Sequence, residues 1–290
     1  MSESGVLFAG SLHVDRMVEV ARLPVPGETI IATGTWSQLG GKATNQAVAA
    51  ARHVHATLAA CVGEDSDGRQ AGETLALLGV NAALQVSGTL PTGSSVALLD
   101  ASGENIGVVL PGANIDLRAD GVVSLFGSEA PLLMVCQWET AAATLHTLLK
   151  EARQRGIPTL INAAPWQDDL RYQETLSLAD HVVVNAVEAQ AWIGTDPQAR
   201  ATDLEFNHPS VVVTLGAGGV LHYIDGVLST DLRAPVVKAR SSHGAGDHFV
   251  GVLGSQLARG KSMTQALKCA AASAADFVQL LHKHPSSPSP

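Results

Sequence analysis

Residues 181–193 read HVVVNAVEAQAWI. The three valines make a short β-branched run, as in a strand buried on both faces, and the stretch behind Asn185 has the longer apolar spacing of a helix. The unit recurs. LLMVC (132–136) precedes a helical pattern from Thr140 to Arg155 that stops at Gly156, and PTLIN (158–162) precedes a polar helical stretch around 168–178. SVVVTLG (210–216) follows an irregular segment. Buried strands separated by helices predict right-handed βαβ units in a mainly parallel sheet, an α/β fold. The strands end on Gln137 and Glu139, Asn162, Asn185, Thr214 and Gly216. Ligands of open α/β sheets bind at the carboxyl ends of the strands, so a site is expected along that edge.

Two regions follow another rhythm. Residues 13–38 and 92–110 alternate apolar and polar positions between Gly and Pro turns, the pattern of antiparallel strands with one open face. They predict a small inserted sheet serving as a lid, with the α/β core at 1–12, 39–91 and 111–290. The proline- and serine-rich end, HKHPSSPSP (282–290), is expected to be a frayed, disordered tail.

The 290 residues are 46% hydrophobic and 16% charged, enough apolar material for a large core. Net charge is −9 and no Lys/Arg-rich run appears, which argues against nucleic acid as a partner. Cys61, Cys136 and Cys269 are widely spaced, without the pairs of a zinc site or a disulfide framework. The first residues carry no basic segment ahead of their short apolar run, and no run approaches a membrane span, so a cytoplasmic protein is expected.

Several short motifs carry chemistry. In SQLGGKATNQAVAAAR (37–52) a glycine pair lets a ligand touch backbone, with Lys42 and Asn45 presenting polar groups from the turn; alone it reads equally as a tight strand-to-helix connection. It is not a P-loop, since Ala43 follows Lys42 and the upstream glycine is missing. TLGAGG (214–219) lacks the third glycine of a dinucleotide fingerprint, and residues 220–224 alternate like a strand, which removes the main support for a nicotinamide dehydrogenase. In NAVE, Asn185 and Glu188 are placed to face one site or to form an ordinary capping box. Asp15, read alone, is a turn residue. SSHGAGDHF (241–249) sets a carboxylate where a helix begins and glycines bare the amides, so Asp247 either caps the helix or shares the site with an anion.

The order of these motifs is informative. GGKxxNQA, then Glu139 in QWE, NxxE, TLGxxG and GAGDxF resembles the ribokinase-like carbohydrate kinases, also called the phosphofructokinase-B family, from Val6 to about Leu281. VGEDSDG (62–68) and PGAN (111–114) fall where ribokinases carry similar stretches. The resemblance implies a three-layer core with a β-sheet lid. It also implies an ATP- and Mg²⁺-dependent enzyme phosphorylating a primary hydroxyl of a sugar, a ribose-like pentose first and a nucleoside second. Asp247 becomes the general base, and the amides of Gly244, Ala245 and Gly246 the anion hole. Asp15, Gly41, Lys42, Asn45 and Glu139 become the sugar-binding set. Asn185 and Glu188 organise Mg²⁺ and phosphate, with Glu188 nearest the metal, and Thr214, Gly216 and Gly219 line the nucleotide. Pairing of lids into a homodimer is implied as well.

Three positions depart from the family pattern. Ser241-Ser242-His243 replaces the Asp-Thr-Thr that usually precedes GAGD, the C-terminal loop of the potassium site is absent, and Ala43 replaces a common glycine. Potassium activation is therefore expected to be weak or absent. A relative that kept binding and lost turnover is the competing class, and retention of Asp247, Glu188, Lys42 and Asn45 argues against it.

Overall fold

The computed structural model describes residues 5–100, 105–127, 130–237 and 244–283. His243, with the two serines before it, and residues 284–290 of the expected tail lie outside the described residues.

The valine runs do form one sheet. Its strands are β1 (Val6–Ala9), β4 (Ala56–Gly63), β5 (Val80–Ser87), β8 (Leu133–Gln137), β9 (Thr159–Asn162), β10 (His181–Asn185), β11 (Ser210–Thr214), β12 (Val220–Ile224) and β13 (Val227–Leu232). They lie in the order β13-β12-β11-β10-β9-β8-β1-β4-β5, parallel from β11 to β5, with β12 and β13 as an antiparallel edge. That edge is the hairpin after Gly219, turning at Asp225 and Gly226, both of which have positive φ.

Successive residues of one strand point to opposite faces. Leu7, Met134, Val182 and Val211 enter one apolar cluster, while Phe8, Leu133, Val183 and Val212 enter another. Both faces are therefore covered, giving three layers. Over one face lie α3 (Ala119–Val123), α4 (Ala142–Gln154), α5 (Leu170–Leu176) and α6 (Ala186–Ile193). Over the other lie α1 (Lys42–Ala51), α2 (Ser66–Leu77), α7 (Ala245–Ala258) and α8 (Met263–Lys283).

In α4 the buried residues Leu145, Leu148, Leu149 and Ala152 follow the i, i+3, i+4, i+7 spacing. Burying each leucine contributes roughly 1.5–3 kcal/mol. No side chain caps this helix, so its apolar face holds it in place; it starts at Ala142 rather than Thr140.

The second sheet contains β2 (His13–Val20), β3 (Gly34–Gly40), β6 (Ser94–Asp100) and β7 (Asn105–Leu110) in the order β3-β2-β6-β7. It corrects the expectation of purely antiparallel strands: β2 and β6 pair in parallel. Two hairpin-like halves from distant parts of the chain meet side by side, and local alternation carries no information on that meeting. Asp15 lies within β2, not in a turn.

At the opposite end of the core sheet from the strand termini, Ser210 Oγ sits 2.9 Å from both His181 Nδ1 and His222 Nε2. Burial lowers the pKa of His181 and His208, and burial followed by the nearby His181 lowers His222 to about 4. A depressed folded-state pKa means that the unfolded chain binds protons first. Stability is present above the ordinary value of 6.5 and lost as pH falls toward 4. The thermal midpoint is therefore expected to drop between pH 7.5 and pH 5, and to drop less in His222→Gln. An equal drop in both proteins would remove this cluster as the cause.

Candidate active site

The carboxyl ends of β8, β9, β10 and β11 converge with the N-termini of α1 and α7. Between them is a cavity of about 200 Å³ whose wall includes Lys42, Asn162, Asn185, Glu188, Thr214, Gly244, Gly246 and Asp247.

Gly244 caps α7 in the left-handed conformation, φ 75°, without any side-chain cap. The first amides of the helix thus keep no partner within it. Among the described residues beyond its own turn of helix, a Cβ on Gly246 would meet no atom within 4 Å, so this glycine leaves the cavity wall open instead of relieving a clash. Asp247 stands in the first turn. Its Oδ2 accepts from Asn45 Nδ2 at 3.2 Å and its Oδ1 from Gln46 Nε2 at 3.2 Å. Burial raises its pKa; Lys42 and the two amide donors pull it back without cancelling the effect, and Glu139 adds to the rise.

The glycine pair also serves the protein's own packing. A Cβ on Gly40 would lie 1.9 Å from Asp15 Oδ2, so Gly40 leaves room for that carboxylate, which also accepts from Ser95 Oγ at 2.5 Å. Gly41 adopts φ 95° as the N-cap of α1, where a Cβ would press on the Ser11 carbonyl at 2.7 Å. Behind it, Glu139 Oε2 accepts from the Lys42 amide at 3.1 Å and from Ser11 Oγ. A carboxylate at a helix N-terminus is favoured by the helix dipole.

Burial alone would lower the Lys42 pKa, but Asp247, Glu139 and Glu188 more than reverse this and leave it raised. Asn185 and Glu188 form the full capping box of α6: Asn185 Oδ1 accepts from the Glu188 amide at 2.9 Å, and Glu188 Oε2 accepts from the Asn185 amide at 2.7 Å. The two readings of NAVE are compatible, because Glu188 also lines the cavity. Its pKa is raised by burial, against the cap bond and Lys42.

Thr214 ends β11 on the cavity wall, and Gly216 opens the short turn to β12. Gly219, φ 102°, closes that turn; a Cβ there would lie 2.0 Å from the Leu232 carbonyl. Arg200 reaches across to the Gly218 carbonyl and to Asp231, tying the turn to β13. The cavity wall thus gathers Lys42, Asn185, Glu188, Thr214, Gly244, Gly246 and Asp247, with Asn45 bonded to Asp247. Ala245 begins α7 beside it. Asp15, Gly41, Glu139, Gly216 and Gly219 lie outside that wall, Asp15 on the second sheet.

Gln46, Ser11 and Ser95 also belong to this site's framework. Gln46 sits inside the NQA motif already noted, whereas neither serine belongs to any pattern. Trp138 and Trp166 belong to an aromatic row with Tyr172, Trp192, Phe206 and Tyr223.

The fold is thus a three-layer α/β core with a second small sheet, and a carboxylate stands beside a helix terminus at the strand ends. The profile of the pfkB family carbohydrate kinases matches residues 5–288, and the chain belongs to that family. Among its relatives, the ribokinase of Mus musculus is 33% identical over 268 residues, covering 88% of this chain and 82% of its own. That of Haemophilus influenzae is 30% identical over 279 residues, covering 92% and 89%. The structure of ribokinase from Cryptococcus neoformans var. grubii in complex with ADP superposes with a TM-score of 0.81 at 27% identity, covering 96% of this chain and 94% of that one. The protein is thus an enzyme, a carbohydrate kinase. Among the described residues no helix is long and apolar enough to cross a membrane.

Proposed function

We propose that this kinase transfers the γ-phosphoryl group of ATP to a primary hydroxyl of a ribose-like pentose, with Asp247 as general base. The observation that carries the reading is the Asp247 carboxylate, held by two neutral amide donors beside the free amides of α7. A carboxylate bonded only to neutral groups keeps its charge available for a proton. Asp247 takes that proton from the acceptor hydroxyl as the oxygen attacks phosphorus, and the leaving nucleoside diphosphate carries the electron pair away. The amides of the turn from Gly244 through Ala245 and Gly246 to Asp247, with the helix dipole behind them, favour the charge on the transferring group. Lys42, positive beside the cavity, adds to this field.

Asp15, Gly41, Lys42, Asn45 and Glu139 form the sugar subsite in this reading, fixed from behind by Ser95 and Ser11. Asn185, Thr214, Gly216 and Gly219 line the nucleotide, with Arg200 holding their turn. Among the described residues of the cavity wall, Glu188 and Asp247 set two carboxylates against Lys42, a balance that suits a hydrated Mg²⁺. Glu188 would hold that ion through water, and Mg²⁺ would neutralise charge on the phosphates. The second sheet acts as the lid over the sugar and excludes water. Its β7 exposes Ile106, Val108 and Val109 at 53–61%, a band suited to pairing with a second copy of the chain.

The test is Mg-ATP turnover across pentoses, hexoses and nucleosides. Ribose or a close pentose is expected to give the highest kcat/KM. Preference for a nucleoside would move the assignment to a nucleoside kinase, and binding without turnover would move it to a non-catalytic relative.

A further inference from the structure

Gln46 has no part in the sugar or nucleotide subsites, yet among the described residues it is the best-connected polar side chain at the site. It is completely buried on α1. Its Nε2 donates to Asn162 Oδ1 at 3.1 Å and to Asp247 Oδ1 at 3.2 Å, and its Oε1 accepts from Gln137 Nε2 at 2.7 Å. We propose that Gln46, oriented by Gln137 and Asn162, is a positioning residue that sets the rotamer and hydrogen-bonding state of Asp247 during phosphoryl transfer. The inference rests on reading Asp247 as the base.

The orientation of each amide follows from the one before it. Asn162 Nδ2 donates to the Val183 carbonyl at 3.1 Å, in the middle of β10, so Asn162 Oδ1 must face Gln46. Gln46 must then present its N–H groups to that oxygen and to Asp247, because the flipped amide would set its own oxygen against a carboxylate. Its Oε1 is left facing β8, where only a donor satisfies it, and Gln137 supplies one. A series that begins at a strand backbone therefore ends on one oxygen of the base, and no charged group intervenes.

Three further observations bear on this positioning role. Gln137 Oε1 is buried without a hydrogen-bond partner, so the series keeps an orphaned acceptor that an apolar residue in its place would avoid. This oxygen also lies where a Cβ on Gly10 would come within 2.1 Å, so the backbone of the first strand end is shaped around it. At the other end, Asn45 holds Asp247 Oδ2, so the two amides grip one oxygen each and fix the plane of the carboxylate. Among the described residues, the charged groups acting on Asp247 are Lys42 on its own side of the cavity, and Glu139 and Glu188. Gln46 adds a neutral donor among them, which orients the carboxylate without neutralising it.

The test compares Gln46→Met, Gln137→Met and the double variant in the whole protein, using Mg-ATP and the pentose turned over best. Gln46→Met keeps the volume and removes the donor. It is expected to lower kcat about 10- to 100-fold, the effect of losing one hydrogen bond to a charged group, with both KM values within about 3-fold of the parent. Gln137→Met, which does not touch Asp247, is expected to lower kcat by a smaller factor. The double variant should match Gln46→Met instead of multiplying the two losses, since both act through one series. An unchanged kcat in folded Gln46→Met overturns the proposal, and so does multiplication of the two losses. If Gln46→Met fails to fold, Gln137→Met decides: a kcat loss at constant KM supports the proposal, and an unchanged kcat overturns it. Asp247→Asn separates this idea from the one beneath it. Full activity in Asp247→Asn removes the base assignment itself, whereas an inactive Asp247→Asn beside a fully active Gln46→Met removes only the role of Gln46.

Discussion

Replacing Asp247 with asparagine lowers kcat by about 10²–10⁴-fold, the range supplied by a general base, while the fold survives. The isosteric amide keeps the shape of the first turn of α7 but cannot accept the proton of the attacking hydroxyl. Stability is the control. Burial raises the Asp247 pKa, so the folded state holds its proton more tightly than the unfolded chain does. The ionised carboxylate is therefore a burden on the fold at neutral pH, relieved as pH falls through the raised folded-state value. Asp247→Asn is expected to melt no lower than the parent at pH 7.5. In the parent, kcat should decline on the acid side at a pH above the ordinary carboxylate range, because the base works only when deprotonated. A variant that loses activity through a lower thermal midpoint, or a parent with no acid limb, would count against the assignment.

The second large effect is structural and reaches the same carboxylate. Gly251 lies one turn beyond Asp247 on α7, where that helix crosses α1; a Cβ there would sit 2.1 Å from the Gln46 carbonyl and 2.9 Å from Ala49 Cβ. The close approach lets Asn45 and Gln46 reach across to Asp247 at all. Gly251→Val forces two backbones apart, with no flexible side chain to give way. A destabilisation of about 3 kcal/mol, the upper part of the overpacking range, is expected. That corresponds to a fall in thermal midpoint of roughly 5 °C for a chain of this size. Because the shift carries Asp247 away from its two donors, kcat should fall at temperatures where the variant is still folded. Differential scanning calorimetry with steady-state kinetics reads both, and an unchanged midpoint would mean the crossing is looser than its geometry indicates.

Much of the architecture is written locally. Runs such as HVVVN and LLMVC need nothing beyond β-branching and length to be recognised as buried strands, and their polar ends mark the edge where the cavity lies. Asp247, Lys42, Asn185, Glu188 and Thr214 were within reach for that reason: they follow strands or open helices at that edge. Long-range pairing was not within reach. Alternation in 13–38 and 92–110 indicates strands, but that β2 lies parallel to β6 depends on how two distant segments dock. The glycines carry more than their local pattern tells: Gly40 and Gly41 also make room for Asp15 and for the Ser11 carbonyl, and Gly251 allows the close crossing of α7 and α1, contacts that only the packing of distant segments creates. The amides of Gln46, Gln137 and Asn162 stayed hidden because glutamine and asparagine look like any other polar residue until packing decides which end of each faces which neighbour.

The most direct measurement of the central claim is the identity of the product. The whole protein is incubated with Mg-ATP and ribose, and the phosphorus NMR spectrum is followed alongside release of ADP. The account predicts a phosphate monoester on the primary hydroxyl, formed in equal amount with ADP and absent with Asp247→Asn. Release of ADP without a sugar phosphate, or a phosphate on a secondary hydroxyl, would contradict it.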